Sequence, residues 1–425
     1  MSGIHDLKNF LDHSHSPYHA VGNLAALLDG DGYTRLSEGE TWKLEKGGKY
    51  YFTRGGCAVF AFRIPTADPV GFTIAAAHSD RPSFKLKENG VLEGKYTRLS
   101  VEGYGGMLIG TWLDRPLSLA GRVQVATEHG AETRLVDIDR DLLLIPNLAI
   151  HMNRAANDGY KWDLKSDTMP LFAGADKKAA FGEILAEAAG GEILGQDLYL
   201  YPRMDAALWG SEEEFISSCA LDDLQCVWCC AEGFRNAKES ASIPVLSIFD
   251  SEEVGSSSMQ GADSNVLERL IHRICAACGL DADRMLSNSF LVSADNAHAL
   301  HPNRPEMADS ANAPLVNGGP VLKFNANLRY TTDGLAAAIF RSVCRKAGVS
   351  VQTYHNRADI PGGSTLGHIS MAHVSVPTAD VGLAQLAMHS CYETAGTRDS
   401  LDMVRVMETL YGLTLTRDEQ GFALN

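Results

Sequence analysis

An apolar, β-branched run at residues 243–249 stops just before two adjacent carboxylates, Glu252 and Glu253. No other stretch limits the possible folds as strongly. Such a run reads as a buried strand, and in α/β sheets chemical groups gather at the carboxyl ends of strands. Neighbouring side chains in a turning segment point in different directions, so one acid can hold a metal while the other faces a substrate. The pattern recurs along the chain. Residues 70–77 run into His78-Ser79-Asp80, residues 290–294 run into Asp295, and a strand expected at 373–378 leads through Asp380 to His389. Asp222 opens a helix-like stretch at 224–234, where an N-cap is the competing explanation. Each residue alone has an ordinary reading: a Glu-Glu pair starts helices, a histidine after a strand satisfies polar neighbours, and Asp295 would cap a turn at 297–300. The combination carries the specificity.

Four ligand-bearing strand ends need a long chain, and 425 residues exceed one ordinary core, implying two domains. From residue 222 onward helix and strand alternate, the mark of an α/β sandwich: helices at 224–236, 265–278, 333–347 and 401–411, strands at 243–249, 290–294 and 349–354. Two helices, 4–13 and 18–28, precede strands at 49–53 and 58–64. Between 89 and 214 the character changes to glycine-rich turns and strands such as 117–125 and 134–138. The expected architecture is a catalytic α/β unit, residues 1–88 and 215–425, interrupted by a β-rich unit at 89–214.

A net charge of −16 argues against nucleic-acid or anionic-membrane partners. No segment approaches the roughly 20 apolar residues of a spanning helix. The first ten residues hold His5, Asp6 and Lys8 and lack a signal core, so a cytoplasmic location is expected. Nine cysteines, an odd number, fit reduced thiols. Cys226 with Cys229 and Cys230, and Cys275 with Cys278, have spacings that suit zinc. Their helical surroundings favour buried thiols instead.

Five candidate ligands emerge: His78, Asp222, Glu253, Asp295 and His389. Mixed imidazole and carboxylate donors suit zinc, and manganese or cobalt would also fit. Two ions need a bridge, for which Asp222 is the candidate. One ion would take His78, Asp222 and Glu253, and the other Asp222, Asp295 and His389, each keeping an open position for a shared water. Glu252 is placed to accept the proton of that water, and Asp80 to orient the imidazole of His78.

These residues lie in motifs that resemble the aspartyl aminopeptidases, a family of dinuclear zinc metallopeptidases, from end to end. The segments are Ser16-Pro17-Tyr18-His19-Ala20-Val21, Ala77-His78-Ser79-Asp80, Pro146-Asn147-Leu148-Ala149-Ile150-His151, Leu221-Asp222-Asp223-Leu224, Asp250-Ser251-Glu252-Glu253-Val254-Gly255, Ser293-Ala294-Asp295-Asn296-Ala297-His298 and Gln385-Leu386-Ala387-Met388-His389-Ser390. The resemblance implies an α/β/α zinc-peptidase sandwich interrupted by a β-rich dimerisation domain, assembled from dimers into a dodecamer. It implies that Asp222 bridges the metals, that His78 with Glu253 and Asp295 with His389 complete them, and that Glu252 is the general base. By the same resemblance His151 reaches a partner subunit's site and stabilises the oxyanion, and Lys323 pairs with an acidic side chain at the substrate's N-terminus.

Charge arithmetic suits that last role. Two divalent ions are balanced by Asp222, Glu252, Glu253 and Asp295, so an acidic side chain needs a separate cation. Two departures from the family pattern stand out: Asp223 where asparagine is usual, and Ser256-Ser257-Ser258-Met259 beside the paired acids. The expected activity is release of N-terminal Asp or Glu from peptides with a free amino terminus. A metallocarboxypeptidase or deacylase of related fold, or a non-catalytic shell protein with a vestigial site, are the alternatives. Gly103-Tyr104-Gly105-Gly106 reads as a turn. Pro361-Gly362-Gly363-Ser364-Thr365 is either a backbone-donor loop near the site or plain turn chemistry.

Overall fold

A computed structural model describes residues 2–425. Its centre is a nine-stranded mixed sheet, in which the strands Ser242–Phe249, Gly71–His78, Phe290–Ala294 and Thr378–Gly382 lie side by side and parallel. Two-residue periodicity splits their side chains between two cores. In Gly71–His78, Ala75 and Ala77 join one cluster while Phe72, Ile74 and Ala76 join the other. The first cluster is closed by the helices Leu221–Asn236, Gly334–Ala347 and Thr397–Tyr411, the second by Val266–Cys278 and Leu366–His373. Helices on both faces of a largely parallel sheet make the α/β sandwich that the alternation implies.

A separate antiparallel sheet of six strands, from Ser83–Leu92 to Ile193–Pro202, has its own core around Phe84, Trp112, Leu119 and Leu198. It begins ahead of residue 89. The strand Ala207–Trp209 pairs with Phe215–Ser218, which in turn pairs with Glu393–Gly396 of the outer unit. This region also carries one helix, Lys178–Ala189, which the glycine-rich sequence did not suggest.

Other differences have local causes. The strand expected at 373–378 is instead the end of the helix Leu366–His373 followed by the strand Thr378–Gly382. Pro377 has no N–H to give the ladder, so pairing starts with its carbonyl, which accepts from Leu291 N. The strand expected at 349–354 starts only at Gln352, because Gly348 caps the preceding helix in the left-handed region and Val349 N folds back onto Cys344 O. All nine cysteines are free thiols. Cys226, Cys229, Cys230 and Cys275 are buried on helices, and no cysteine belongs to a candidate metal group among the described residues.

Candidate metal centre

Register brings the site together. Phe249 pairs with His78 and Ala294 with Val381, so the residues that follow these strands emerge at one edge of the sheet. His78 is the last residue of its strand and 1% exposed. Its Nδ1 lies 3.1 Å from the Asp80 carbonyl and 3.3 Å from Asp80 Oδ1, which turns Nε2 toward Asp222 Oδ1 at 3.7 Å. Burial disfavours the charged imidazole, yet Asp80, Asp223 and Glu252 outweigh it and raise His78 well above its ordinary value.

Asp80 does more than orient His78. Its two carboxylate oxygens accept the backbone N–H groups of Glu252 and Glu253, each at 3.1 Å, and the Tyr104 hydroxyl at 2.8 Å. One carboxylate therefore ties the histidine strand to the short 3₁₀ turn Glu252–Val254. Burial, reinforced by Asp295, Asp80 and Asp222, pushes Glu252 up to about 8, and burial lifts Glu253 well above its usual range.

Asp222 stands where the helix Leu221–Asn236 begins but has non-helical backbone angles. Its carboxylate is not a cap: Oδ1 is buried with no hydrogen-bond partner, and Oδ2 lies 3.5 Å from His389 Nε2. That imidazole is also 3.5 Å from Glu253 Oε2. Ligand-type atoms within 4.8 Å of one another form the groups His78–Asp222–Asp295, Asp222–Glu253–His389 and His78–Glu252–Glu253. The expected partners are thus exchanged. His78 shares Asp222 with Asp295, and His389 shares it with Glu253, because Glu253 turns toward the 389 loop while Asp295 directly follows the strand next to that of His78; the expected pair His78 and Glu253 still meet in the third group, with Glu252. Asp295 is 7% exposed and does not cap a turn, since Ala297–His298 continues as a strand beside Ala384–Leu386. Burial moves its carboxyl up to about 6 against the pull of Lys323.

A cavity of about 190 Å³ opens onto these groups and is lined further by His298, Lys323, Tyr330, Tyr354 and Met388. Gly363, Ser364 and Thr365 also line it, so the glycine-rich loop belongs to the site. Lys323 is buried, not the exposed strand lysine of the ordinary reading. Its Nζ donates to the Asp295 carbonyl at 2.8 Å and to the Asn296 carbonyl at 3.3 Å, and sits over the Tyr330 ring. Asp223 is fully buried and accepts from His78 N at 3.2 Å, which leaves its Oδ1 unpartnered. Of the Ser256–Met259 departure, Ser258 Oγ bonds Ser251 Oγ at 3.0 Å just ahead of the paired acids. His151 is exposed and absent from this cavity's lining.

Three participants escaped the sequence reading. Tyr104 reaches Asp80 from the antiparallel sheet; the glycines around it read only as a turn. Asn296 is buried and donates to the Leu221 carbonyl and Gln385 Oε1, both at 2.9 Å. Glu393 is 2% exposed and accepts Asp222 N at 2.9 Å and His389 N at 2.7 Å. Burial and the charge of Asp222 lift Glu393 to about 8. Its position four residues beyond His389 was the available signal, but a carboxylate at the start of a short strand does not announce that it binds backbone.

Comparison with known proteins agrees with this geometry. The family model described as aminopeptidase I zinc metalloprotease (M18) matches residues 10–411. The "Probable M18 family aminopeptidase 2" of Clostridium novyi is 40% identical over 424 residues, covering 96% of this chain and 98% of the relative. Among solved structures, a chain of the cryo-EM structure of the Ape4 and Nbr1 complex superposes with a TM-score of 0.94 at 35% identity, covering 97% of this chain and 85% of that one. The S. cerevisiae mApe1 dodecamer gives 0.85 at 26% identity, with 96% of each chain covered. Sequence, fold and site agree: the chain belongs to the M18 family of zinc metalloproteases and is an aminopeptidase, a hydrolase of peptide bonds.

Proposed function

We propose that this aminopeptidase removes N-terminal Asp or Glu residues from peptides, using two divalent cations held by His78, Asp222, Asp295, Glu253 and His389. The donor set fits such a pair: two imidazoles and three carboxylates converge, and Asp222 Oδ1 is a buried acceptor with no protein donor. When bound, the cations polarise the scissile carbonyl and make water a better nucleophile. Zinc is the first choice from the family, and cobalt or manganese suits the same donors. Glu252 takes the proton from the attacking water and delivers it to the leaving amine. A carboxylate raised by burial, beside cations that would lower it, is tuned toward that shuttle.

The preference for acidic residues rests on one observation. Lys323 is the only lysine or arginine lining the cavity, and two of its three donors are held by backbone carbonyls. The Asp295 carboxylate lies 3.7 Å from Nζ, beyond hydrogen-bond reach, so the remaining donor is proposed to serve a ligand carboxylate. His151 is proposed to act in the site of a neighbouring subunit, donating to the developing oxyanion. The exposed Leu148, Ile150 and Met152 around it, and the solved mApe1 dodecamer, support a homo-oligomer, with the β-rich unit at 89–214 forming the dimer contact. The nine free thiols support a cytoplasmic location.

A panel of aminoacyl chromogenic substrates and dipeptides, tested with zinc-, cobalt- or manganese-loaded protein, checks the reading. Chelator-sensitive release from Asp and Glu alone is the expected result. Release from neutral or basic residues would overturn the preference, and cleavage of N-acetylated peptides would favour a deacylase or carboxypeptidase.

A further inference from the structure

Glu393 is a buried carboxylate beside another, Asp222, and such a group costs stability unless it does something an apolar side chain cannot. Packing alone does not account for it. What it does is accept two backbone N–H groups, one from Asp222 and one from His389, through separate oxygens.

The topology explains how one side chain reaches both. The strand Glu393–Gly396 pairs antiparallel with Phe215–Ser218, with Glu393 opposite Ser218. Past Ser218 the chain leaves the sheet toward Asp222, and ahead of Glu393 it arrives from His389. Both turns meet at the point where Glu393 sits. His389 has a positive φ of 65°, a conformation that a non-glycine residue holds only when its surroundings insist. The bond from its N–H to Glu393 is one such constraint, and the bond from Leu108 N to its carbonyl, at 2.9 Å, is another.

We propose that Glu393 is the positioning residue of the metal centre: its carboxylate sets the separation of Asp222 and His389 by gripping the backbone of each. The inference rests on reading those two residues as ligands. Two acceptor oxygens are required, which the charged carboxylate supplies, and cations bound at Asp222 and His389 would favour that charged form over the neutral one. An amide of the same shape turns one acceptor into a donor facing an N–H, so Glu393→Gln breaks one of the two grips with little change in volume.

The protein supplies its own control. Asp399 is also fully buried and also accepts two backbone N–H groups, from Asn317 at 2.6 Å and Gly319 at 2.7 Å, but touches no ligand. Zinc affinity is measured by competition with a chromophoric chelator for the wild type, Glu393→Gln and Asp399→Asn, alongside the melting temperature of each metal-free protein. Glu393→Gln is expected to weaken zinc binding about 10- to 100-fold, as loss of a group supporting a ligand does, while Asp399→Asn lowers the melting temperature and leaves the affinity alone. Equal affinities in wild type and Glu393→Gln, or equal losses in both variants, would overturn the proposal. If Glu393→Gln does not fold, amide exchange in the unmodified protein decides. The His389 N–H must exchange slowly without zinc, and fast exchange there means that the grip does not exist. Failure of the metal reading looks different: the wild type itself would then not compete with the chelator.

Discussion

The metal-facing wall and the loop that carries His151 are built on opposite principles. On the wall, side chains join segments that are distant in sequence. Asp80 grips Glu252 and Glu253, Glu393 grips Asp222 and His389, and Asn296 ties the Asp295 turn to Leu221. On the loop the bonds are local, as from Met152 N and Asn153 N back to the Ala149 carbonyl. Asn147, at its start, is fastened to Asp114. Leu148, Ile150 and Met152 are 54%, 44% and 70% exposed, an apolar cluster with no surface of its own chain to cover. A single chain is sufficient to shape the wall, whereas the apolar residues of the loop stay uncovered in the single chain, in keeping with the subunit contact proposed for His151.

Mutations on each side test that contrast. The largest effect is expected from Glu252→Gln, which removes the proton acceptor and leaves all five candidate ligands. Turnover should fall about 10²- to 10⁴-fold with metal content unchanged, and near-normal turnover would remove Glu252 from the base role. His151→Phe should cost somewhat less, about 10²- to 10³-fold, with the assembly intact by sedimentation. Mixing is the sharper measurement. If the wall belongs to one chain and His151 serves the next, co-assembled Glu252→Gln and His151→Phe subunits regain activity, because some sites combine an intact Glu252 with a neighbour's His151. No recovery in verified mixed assemblies would place both functions within one subunit.

The same contrast explains what the sequence made legible. Strand ends that carry His78, the Glu252–Glu253 pair and Asp295 stood out because buried parallel strands are continuous apolar runs, and a polar residue at their ends is a visible break. The five candidate ligands were identified this way and by resemblance, and they converge in the structure. Their division between two groups was not legible, since it depends on how a 3₁₀ turn and a loop point in space. Supporting groups were less legible still. Tyr104 and Glu393 act on backbone or on another side chain from remote segments, and their own surroundings give no periodic signal. The expected strand at 373–378 failed for a simpler reason: its apolar character was read without weighing the missing N–H of Pro377.

The smallest predicted effect concerns the root of the antiparallel sheet, the part of the inserted region that is fastened as the wall is. Asp137 ends the strand Gly130–Asp137 and accepts from the Tyr201 hydroxyl at 2.6 Å, while its other oxygen lies 2.6 Å from His15 Nδ1 in the turn between the first two helices. His15 in turn stacks on the Tyr201 ring at 4.0 Å. Burial pushes the Asp137 carboxyl up, but the bonds from His15 and Tyr201 outweigh it and hold its pKa below the ordinary value. A carboxylate with a lowered pKa in the folded protein contributes stability that is complete above its unfolded value, near 3.9, and is lost as pH falls through the lower folded value. The side chain is 25% exposed, so screening limits the contribution to about 1 kcal/mol, or roughly 2 °C in melting temperature for a chain of this size. Asp137→Asn should therefore melt about that much below wild type at pH 7, and the gap should close as the pH falls below about 4. A deficit that persists unchanged in acid would mean that the shape of the Asp137 side chain, not its charge, joins the antiparallel sheet to the N-terminal helices.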